Sequence, residues 1–445
     1  MTRKYLASTI FAAALPFGAA HAATVTINAG GSSLAGPTYI AEFEAYTAAH
    51  VNVLFSYEAV GSGGAQNAFL KNNINYFEPL SGTNTVGYAA GTLTYGTIVG
   101  TTVDVGASDA PLSSSQVSAA GTYPVPTVAG TGSLVDGPLI QIPTFGVPIT
   151  IPYVQPGITS GNLKLTDNQL CGVLSGQITD WHALVSTIPA GKKTIEVVYF
   201  SNSSGTTYLL TQHLNAVCTS ANSAFPTYPV PITKYYVSST SSNHPVFATA
   251  PSNFIGANAS SVVASTLLST TNSIGYLSPD FTSIAPSSAN TTSLKVASLK
   301  NTTDGSYYQP TVANTEKGLA HPGPTAIDTT PPTTQAAAMD PLDWVPQIPT
   351  TTAGYPIVGY GALELSTCYA NPKIGSALTT FLTDQYNTSS YKTLITNNGF
   401  SPLINTSASK YIGKVNTAFL TNSSGYNLNI DNATTCSASN GITGR

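Results

Sequence analysis

The sequence predicts an α/β fold of at least two lobes, and three observations carry that expectation. Short apolar runs alternate with helical patterns across polar, glycine-bearing corners, the order that builds open α/β sheets. Those corners fall where strands end, which is where such sheets hold ligands. The chain has 445 residues, enough for two or three domains with a large core.

Residues 1–22 stand apart as an export signal. Arg3 and Lys4 open it, an apolar run too short to span a bilayer follows, and Ala20-His21-Ala22 is a small-x-small cleavage site. No Cys follows that site to take a lipid anchor.

The first corner comes next. Residues 24–28 read as a strand, 29–37 as a glycine turn, and Tyr39, Ile40, Phe43 and Tyr46 recur at helical spacing behind Pro37. A second corner joins the strand 51–57 to the helix that Val60-Gly-Ser-Gly-Gly introduces, with Ser62 at its tip. A third ends the strand 102–106 and places Asp109 just beyond it. Residues 141–153 are apolar and extended, and their three prolines exclude a helix, so they read as a crossover into a second lobe.

In that lobe Thr166-Asp-Asn-Gln169 has the form of a capping box opening a helix, and Asp180-Trp181 reads as lobe packing. The stretch 196–214 organises the rest. Residues 197–200 alternate like a buried strand, 201–204 form a polar turn, and a helix starts at Gly205. The free amides and dipole of that helix start, with the hydroxyls of Ser203, Ser204 and Thr206, make an anion cradle, although Ser204 also suits a plain helix cap. His213, further along the helix, reads as part of a solvated face.

Residues 219–260 show few helical patterns, 261–268 a short helix and 273–277 a strand. The Thr-, Ser- and Pro-rich stretch 285–352 reads as a surface elaboration. Strand patterning resumes over 355–365, Asn371-Pro372 opens a helix, and a shorter one ends at Asn398-Gly399.

The four cysteines, Cys171, Cys218, Cys368 and Cys436, show no metal-ligand spacing, and in an exported chain they predict two disulfides. Three pairings are open, of which Cys171 with Cys218 and Cys368 with Cys436 closes one loop in each half. Only 8% of residues are charged, and losing Arg3 and Lys4 takes the formal net charge from -4 to -6. That leaves no basic face for nucleic acid. Arg445, the last residue, is the only arginine outside the signal.

The stretches 28–39, 60–69, 103–112, 141–153, 165–181, 199–214, 273–277, 355–357 and 398–403 together resemble the periplasmic phosphate-binding proteins of ABC transporters, PstS-like and DING-type, in that family's order. The resemblance implies a two-lobed periplasmic-binding-protein (type II) fold with hinge strands. Its lobes would be 23–145 plus 350–445, and 146–349, with the elaboration at about 285–349. It also implies a phosphate site without cofactor, formed by Ser33, the amide of Leu34, Ser62, Asp109, Ser204, Gly205 and Thr206. The aspartate matching Asp109 accepts a proton from hydrogen phosphate and so rejects sulfate, since a buried carboxylate facing a bare anion meets repulsion and an unmet acceptor.

One departure weakens the expected site. The family motif Arg-x-Asp-Gly-Ser-Gly-Thr is here Phe200-Ser-Asn-Ser-Ser-Gly-Thr206, so Phe200 stands for the phosphate-binding arginine and Asn202 for its partner. Two charge-assisted hydrogen bonds at about 1.5 to 3 kcal/mol each amount to about two to four decades of affinity. A lysine such as Lys71, Lys192 or Lys234 is the available replacement.

The expected function is therefore an exported binding protein for phosphate or a related protonated oxyanion, of reduced affinity, periplasmic or secreted, serving an ABC-transporter permease. Two alternatives stand beside it. One is a structural protein that keeps the fold and binds an extracellular surface or matrix. The other is a phosphatase, for which the sequence offers no HExxH and no complete GxSxG elbow.

Overall fold

The computed structural model describes residues 24–88, 92–119, 136–191, 193–285, 294–319, 332–403 and 411–445. The export signal and Lys192 lie outside these residues. In chain order the strands are β1 (Val25–Gly31), β2 (Val53–Glu58), β3 (Thr94–Tyr95), β4 (Val105–Ser108), β5 (Leu139–Pro148), β6 (Pro152–Val154), β7 (Lys164–Leu165), β8 (Glu196–Phe200), β9 (Phe254–Ala257), β10 (Ser273–Gly275), β11 (Lys295–Val296), β12 (Ser298–Lys300), β13 (Tyr307–Tyr308), β14 (Val358–Ser366) and β15 (Ser401–Pro402). The helices are α1 (Gly36–Ala49), α2 (Ser62–Leu70), α3 (Ser114–Ala119), α4 (Asp167–Leu174), α5 (Gly205–Val217), α6 (Ser260–Ser269), α7 (Val312–Leu319), α8 (Gln335–Met339), α9 (Pro372–Asn387), α10 (Ser389–Asn397) and α11 (Tyr411–Val415).

A mixed seven-stranded sheet runs β15-β5-β14-β4-β1-β2-β3, with β1 parallel to β2 and β4. A five-stranded sheet runs β11-β6-β10-β8-β9, with β8 parallel to β9 and β10, and a small one runs β13-β12-β7. The long antiparallel pair β5 and β14 is buried along its length, which is why both strands read as continuous apolar runs. Beyond it, Ile149 donates to the carbonyl of Ile357 and Thr150 exchanges backbone bonds with Leu277, so the chain passes from one sheet to the other on paired backbone. This is the two-lobed α/β architecture that the corners predict.

Aromatic rings fix α1 on the first sheet. Phe43 stacks on Phe55 at 4.2 Å between centroids, and Phe381 of α9 closes on both. In the same layer Glu42 of α1 is fully buried and accepts both its hydrogen bonds from Nε2 of Gln385. Burial pushes its carboxyl from 4.5 up to about 8, against the opposing hydrogen bond from Gln385. Between those values the unfolded chain ionises while the folded one keeps the proton, so stability falls as pH rises through the window. Glu42→Gln keeps an acceptor for Gln385 and removes the titration. It should raise the urea midpoint at about pH 8 and leave it nearly unchanged at about pH 5, the reverse of a packing defect.

The disulfides are Cys171–Cys218, tying α4 to the end of α5, and Cys368–Cys436. The capping box of Thr166 and Gln169 is present at α4, and Trp181 is fully buried, its indole N–H donating to the carbonyl of Asn272.

The stretch 219–260, with few helical patterns, holds β9, which pairs with β8 and whose four residues are too short and too interrupted by glycine to show a period. Two expectations need correction. The stretch 285–352 is more than surface, since β11 joins the second sheet and Trp344 is buried against Tyr411 and Phe419. His213 is buried rather than solvated, with Nε2 3.2 Å from Asp167 Oδ1 and Nδ1 3.2 Å from the carbonyl of Pro349. The segment around Ile348 covers that face of α5, and no local pattern announces a cover supplied from so far along the chain.

Candidate functional site

Each predicted corner sits at the carboxyl end of a parallel strand. Gly31, at φ +139°, ends β1 where any Cβ would strike the carbonyl of Ala107, and the chain turns through Ser32 and Ser33 into α1. Gly61, at φ +84°, turns β2 into α2, and a Cβ there would lie 2.8 Å from the carbonyl of Ser203 across the cleft. Asp109 follows β4 directly.

These corners meet on Asp109. Its Oδ2 accepts from Ser32 Oγ at 2.5 Å and from Ser62 Oγ at 3.4 Å, while its amide donates to Ser62 Oγ at 3.1 Å. Its Oδ1 is buried and has no hydrogen-bond partner. Burial pushes the carboxyl from 3.8 up to about 7, with the hydroxyls of Ser32 and Ser62 pulling the other way. The phenols of Tyr39 and Tyr57 feel its charge, Tyr57 donating to the carbonyl of Ser32.

The second lobe closes on this group with the start of α5. A Cβ added to Gly205 would lie 2.3 Å from Ser62 Oγ and 2.9 Å from Asp109 Oδ2, so the first turn of α5 abuts the carboxylate. Thr206 Oγ1 and Ser203 Oγ are buried without partners, and Ser203 faces Gly63 of α2. Ser204 is the helix cap, accepting from the amide of Thr207 at 3.3 Å. Ser33 Oγ crosses the cleft to Ser260 Oγ, at 3.2 Å. Leu34 belongs to the core, its side chain 1% exposed.

Phe200 belongs to the buried core. Its side chain is fully buried 5.5 Å from the ring of Tyr276, whose hydroxyl accepts from the amide of Phe200 and pairs with Thr207 Oγ1. Asn202 lies beside Gly61 and leaves its Oδ1 buried and unpartnered. Of the replacement lysines, Lys71 points to the exposed hydroxyl of Tyr76. Lys234 spans the cleft. Its carbonyl accepts from the amide of Ser204, its Nζ bonds Gln66 Oε1 of α2, and its charge is felt at Glu364. It thus backs the cradle from behind Gln66. Arg445 is buried in the first lobe, donating to the carbonyls of Val103 and Phe69.

Sequence reasoning missed Ser32 and Ser260. Ser32 was detectable as one of two adjacent serines in the first corner, but spacing alone cannot tell which of the two turns toward Asp109.

The family model of the PBP superfamily domain matches residues 18–320.

The chain belongs to the PBP superfamily.

Within the PBP superfamily it is 32% identical over 441 residues to Alkaline phosphatase L of Pseudomonas aeruginosa, covering 98% of each chain. It is 31% identical over 425 residues to a phosphate-binding protein of an unknown prokaryotic organism, covering 92% of this chain and 98% of that one. Among solved structures it is similar to the phosphate-binding protein of Stenotrophomonas maltophilia, with a TM-score of 0.70 at 28% identity, covering 95% of this chain and 100% of that one. It is similar also to the high-affinity periplasmic phosphate-binding protein PfluDING bound with phosphate at pH 8.5, with a TM-score of 0.69 at 30% identity over 95% and 99% of the two chains. Among the described residues, no helix is long and apolar enough to cross a membrane.

Proposed function

We propose that this PBP-superfamily chain is an exported solute-binding protein for phosphate or a related protonated oxyanion. The single observation that carries the reading is Asp109 Oδ1, a buried acceptor without a partner at the first turn of α5. A helix start favours an anion, and an unmet carboxylate favours an anion that still has a proton to give. Ser33, the amide of Leu34, Ser62, Ser204, Gly205 and Thr206 complete the ligand set of the proposal, Asn202 and Phe200 contribute less, and affinity is below that of relatives that keep the arginine. The lobes are taken as 23–145 with 350–445, and 146–349, closing on the ligand. A periplasmic or secreted chain that hands its ligand to an ABC permease fits the likeness to a periplasmic phosphate-binding protein.

Calorimetry of the mature chain with phosphate and with sulfate tests the reading. The native chain should bind phosphate and ignore sulfate, and Asp109→Asn, which turns an acceptor toward the anion into a donor, should lose phosphate affinity by about tenfold and gain sulfate. No phosphate binding at millimolar concentration would end it.

A second reading, phosphomonoester hydrolysis, is favoured by the name of the P. aeruginosa relative. Turnover of a generic phosphomonoester by the purified chain, abolished in Asp109→Asn, would establish it.

A further inference from the structure

Lys234 is a cation that the proposed ligand set leaves out, fastened by its backbone to one side of the cleft and by its ammonium to the other. Its backbone rides on α5. The amide and the carbonyl of Thr233 both bond Thr211 Oγ1 at 3.0 Å, and the carbonyl of Lys234 accepts from the amide of Ser204, the cap of α5, at 2.9 Å. Its Nζ crosses to Gln66 Oε1 of α2.

Gln66 is fully buried, and its amide uses all of its hydrogen-bonding capacity. Oε1 accepts from Lys234 Nζ and from Gln116 Nε2, the latter at 2.9 Å. Nε2 donates to the carbonyl of Ala110 at 2.7 Å and to Ser108 Oγ at 3.1 Å. A carbonyl takes only a donor, so Ala110 fixes which way the amide points and leaves Oε1 for the ammonium. Ser108 and Ala110 flank Asp109, and Ser62, one turn before Gln66 on α2, bonds Asp109 itself. Thus α2 grips the Asp109 corner at Ser108, Asp109 and Ala110, and Lys234 is bonded to that grip. Its two ends are held by α5 and by the Asp109 corner, so drawing these apart must break the Lys234–Gln66 bond. The ammonium then returns to water while Gln66 keeps Gln116, which makes the contact a reversible one.

We propose that Lys234 is a positioning residue of the oxyanion site, a clasp that holds the first turn of α5 against the Asp109 corner through Gln66 without touching the anion. The inference rests on the phosphate reading. Under it the clasp belongs to the closed, ligand-holding arrangement alone, and stabilising that arrangement raises the apparent affinity by the same factor.

Calorimetry with inorganic phosphate on the native chain, Lys234→Met, Gln66→Met and the double variant tests this. Lys234→Met removes the ammonium and should bind phosphate about tenfold more weakly, the worth of one charge-assisted hydrogen bond. Its urea midpoint without phosphate should stay at the native value, because the open chain does not use the clasp. Gln66→Met should also bind more weakly, and in that background Lys234→Met should cost no more than about twofold further, since the partner of Nζ is already gone. Equal losses from Lys234→Met in both backgrounds would place the ammonium on the anion and overturn the clasp, as would native-like phosphate binding by Lys234→Met. If Gln66→Met does not fold, Lys234→Arg decides: recovery to within about threefold of the native chain supports the clasp, and no recovery overturns it. Absence of phosphate binding by the native chain would instead remove the phosphate reading itself, and the role of Lys234 with it.

Discussion

Gly205→Val is expected to weaken phosphate binding by about a hundredfold while both sheets stay folded. The reason is how closely the two lobes approach. At Gly205 a Cβ would stand 2.3 Å from Ser62 Oγ and 2.8 Å from Asp109 Cβ. The hydroxyl of Ser62 has room to rotate, but Asp109 Cβ is fixed by its backbone, and a branched side chain must push α5 off the carboxylate. Overpacking of this kind costs about 1 to 3 kcal/mol, and it falls on the closed state alone. The open state keeps its stability, so the unfolding midpoint without ligand should barely move while the dissociation constant rises. Withdrawal of the first turn of α5 also removes the amides and the dipole that face the anion. Gly63 lies on the same surface, and a Cβ there would stand 2.5 Å from Ser203 Cβ, which is likewise fixed by its backbone, so Gly63→Ala should weaken binding by the same route. Binding by Gly205→Val within about threefold of the native chain would mean that the ligand does not require this closure.

Arg445→Met is expected to destabilise the first lobe by about 3 to 5 kcal/mol, measured by urea unfolding. The guanidinium is buried, donates to the carbonyls of Val103 and Phe69, sits 3.7 Å from Asp136 Oδ2 and lies over the ring of Phe69 at 3.9 Å. Removing it strands two carbonyls and leaves Asp136 and the buried Asp104 without their cation. Arg445→Lys should recover only part of the loss, since one ammonium cannot span both carbonyls and cover the ring together. A change below about 1 kcal/mol in Arg445→Met would show that the fold reaches the same packing without this charge. Its buried contacts make Arg445 part of the structure of the first lobe.

Local sequence carried a good deal of the fold. The corners at 31–36, 58–62 and 200–205 were legible because each joins a strand run to a helix pattern across residues that allow a sharp turn, and the one at 108–112 because a strand run ends there. The helix start at Gly205, the capping box at Thr166 and the helix behind Asn371-Pro372 likewise follow from neighbours within a few positions. Asp109 could be placed at a strand end for the same reason. The strand β9, the burial of His213 and the packing of Trp344 were not legible, because each depends on a partner supplied by another part of the chain.

Much of the secondary structure and the anion-favouring helix start at Gly205 were set by the sequence itself, since a corner needs only the right residues next to one another. Tertiary structure alone decided that Ser32 rather than Ser33 bonds Asp109 and that Lys234 bonds Gln66. Ser32 and Asp109 lie far apart along the chain, and a carboxylate's protonation depends on what surrounds it in space. Packing of distant segments brings those surroundings together, and nothing in the local pattern of either stretch encodes it.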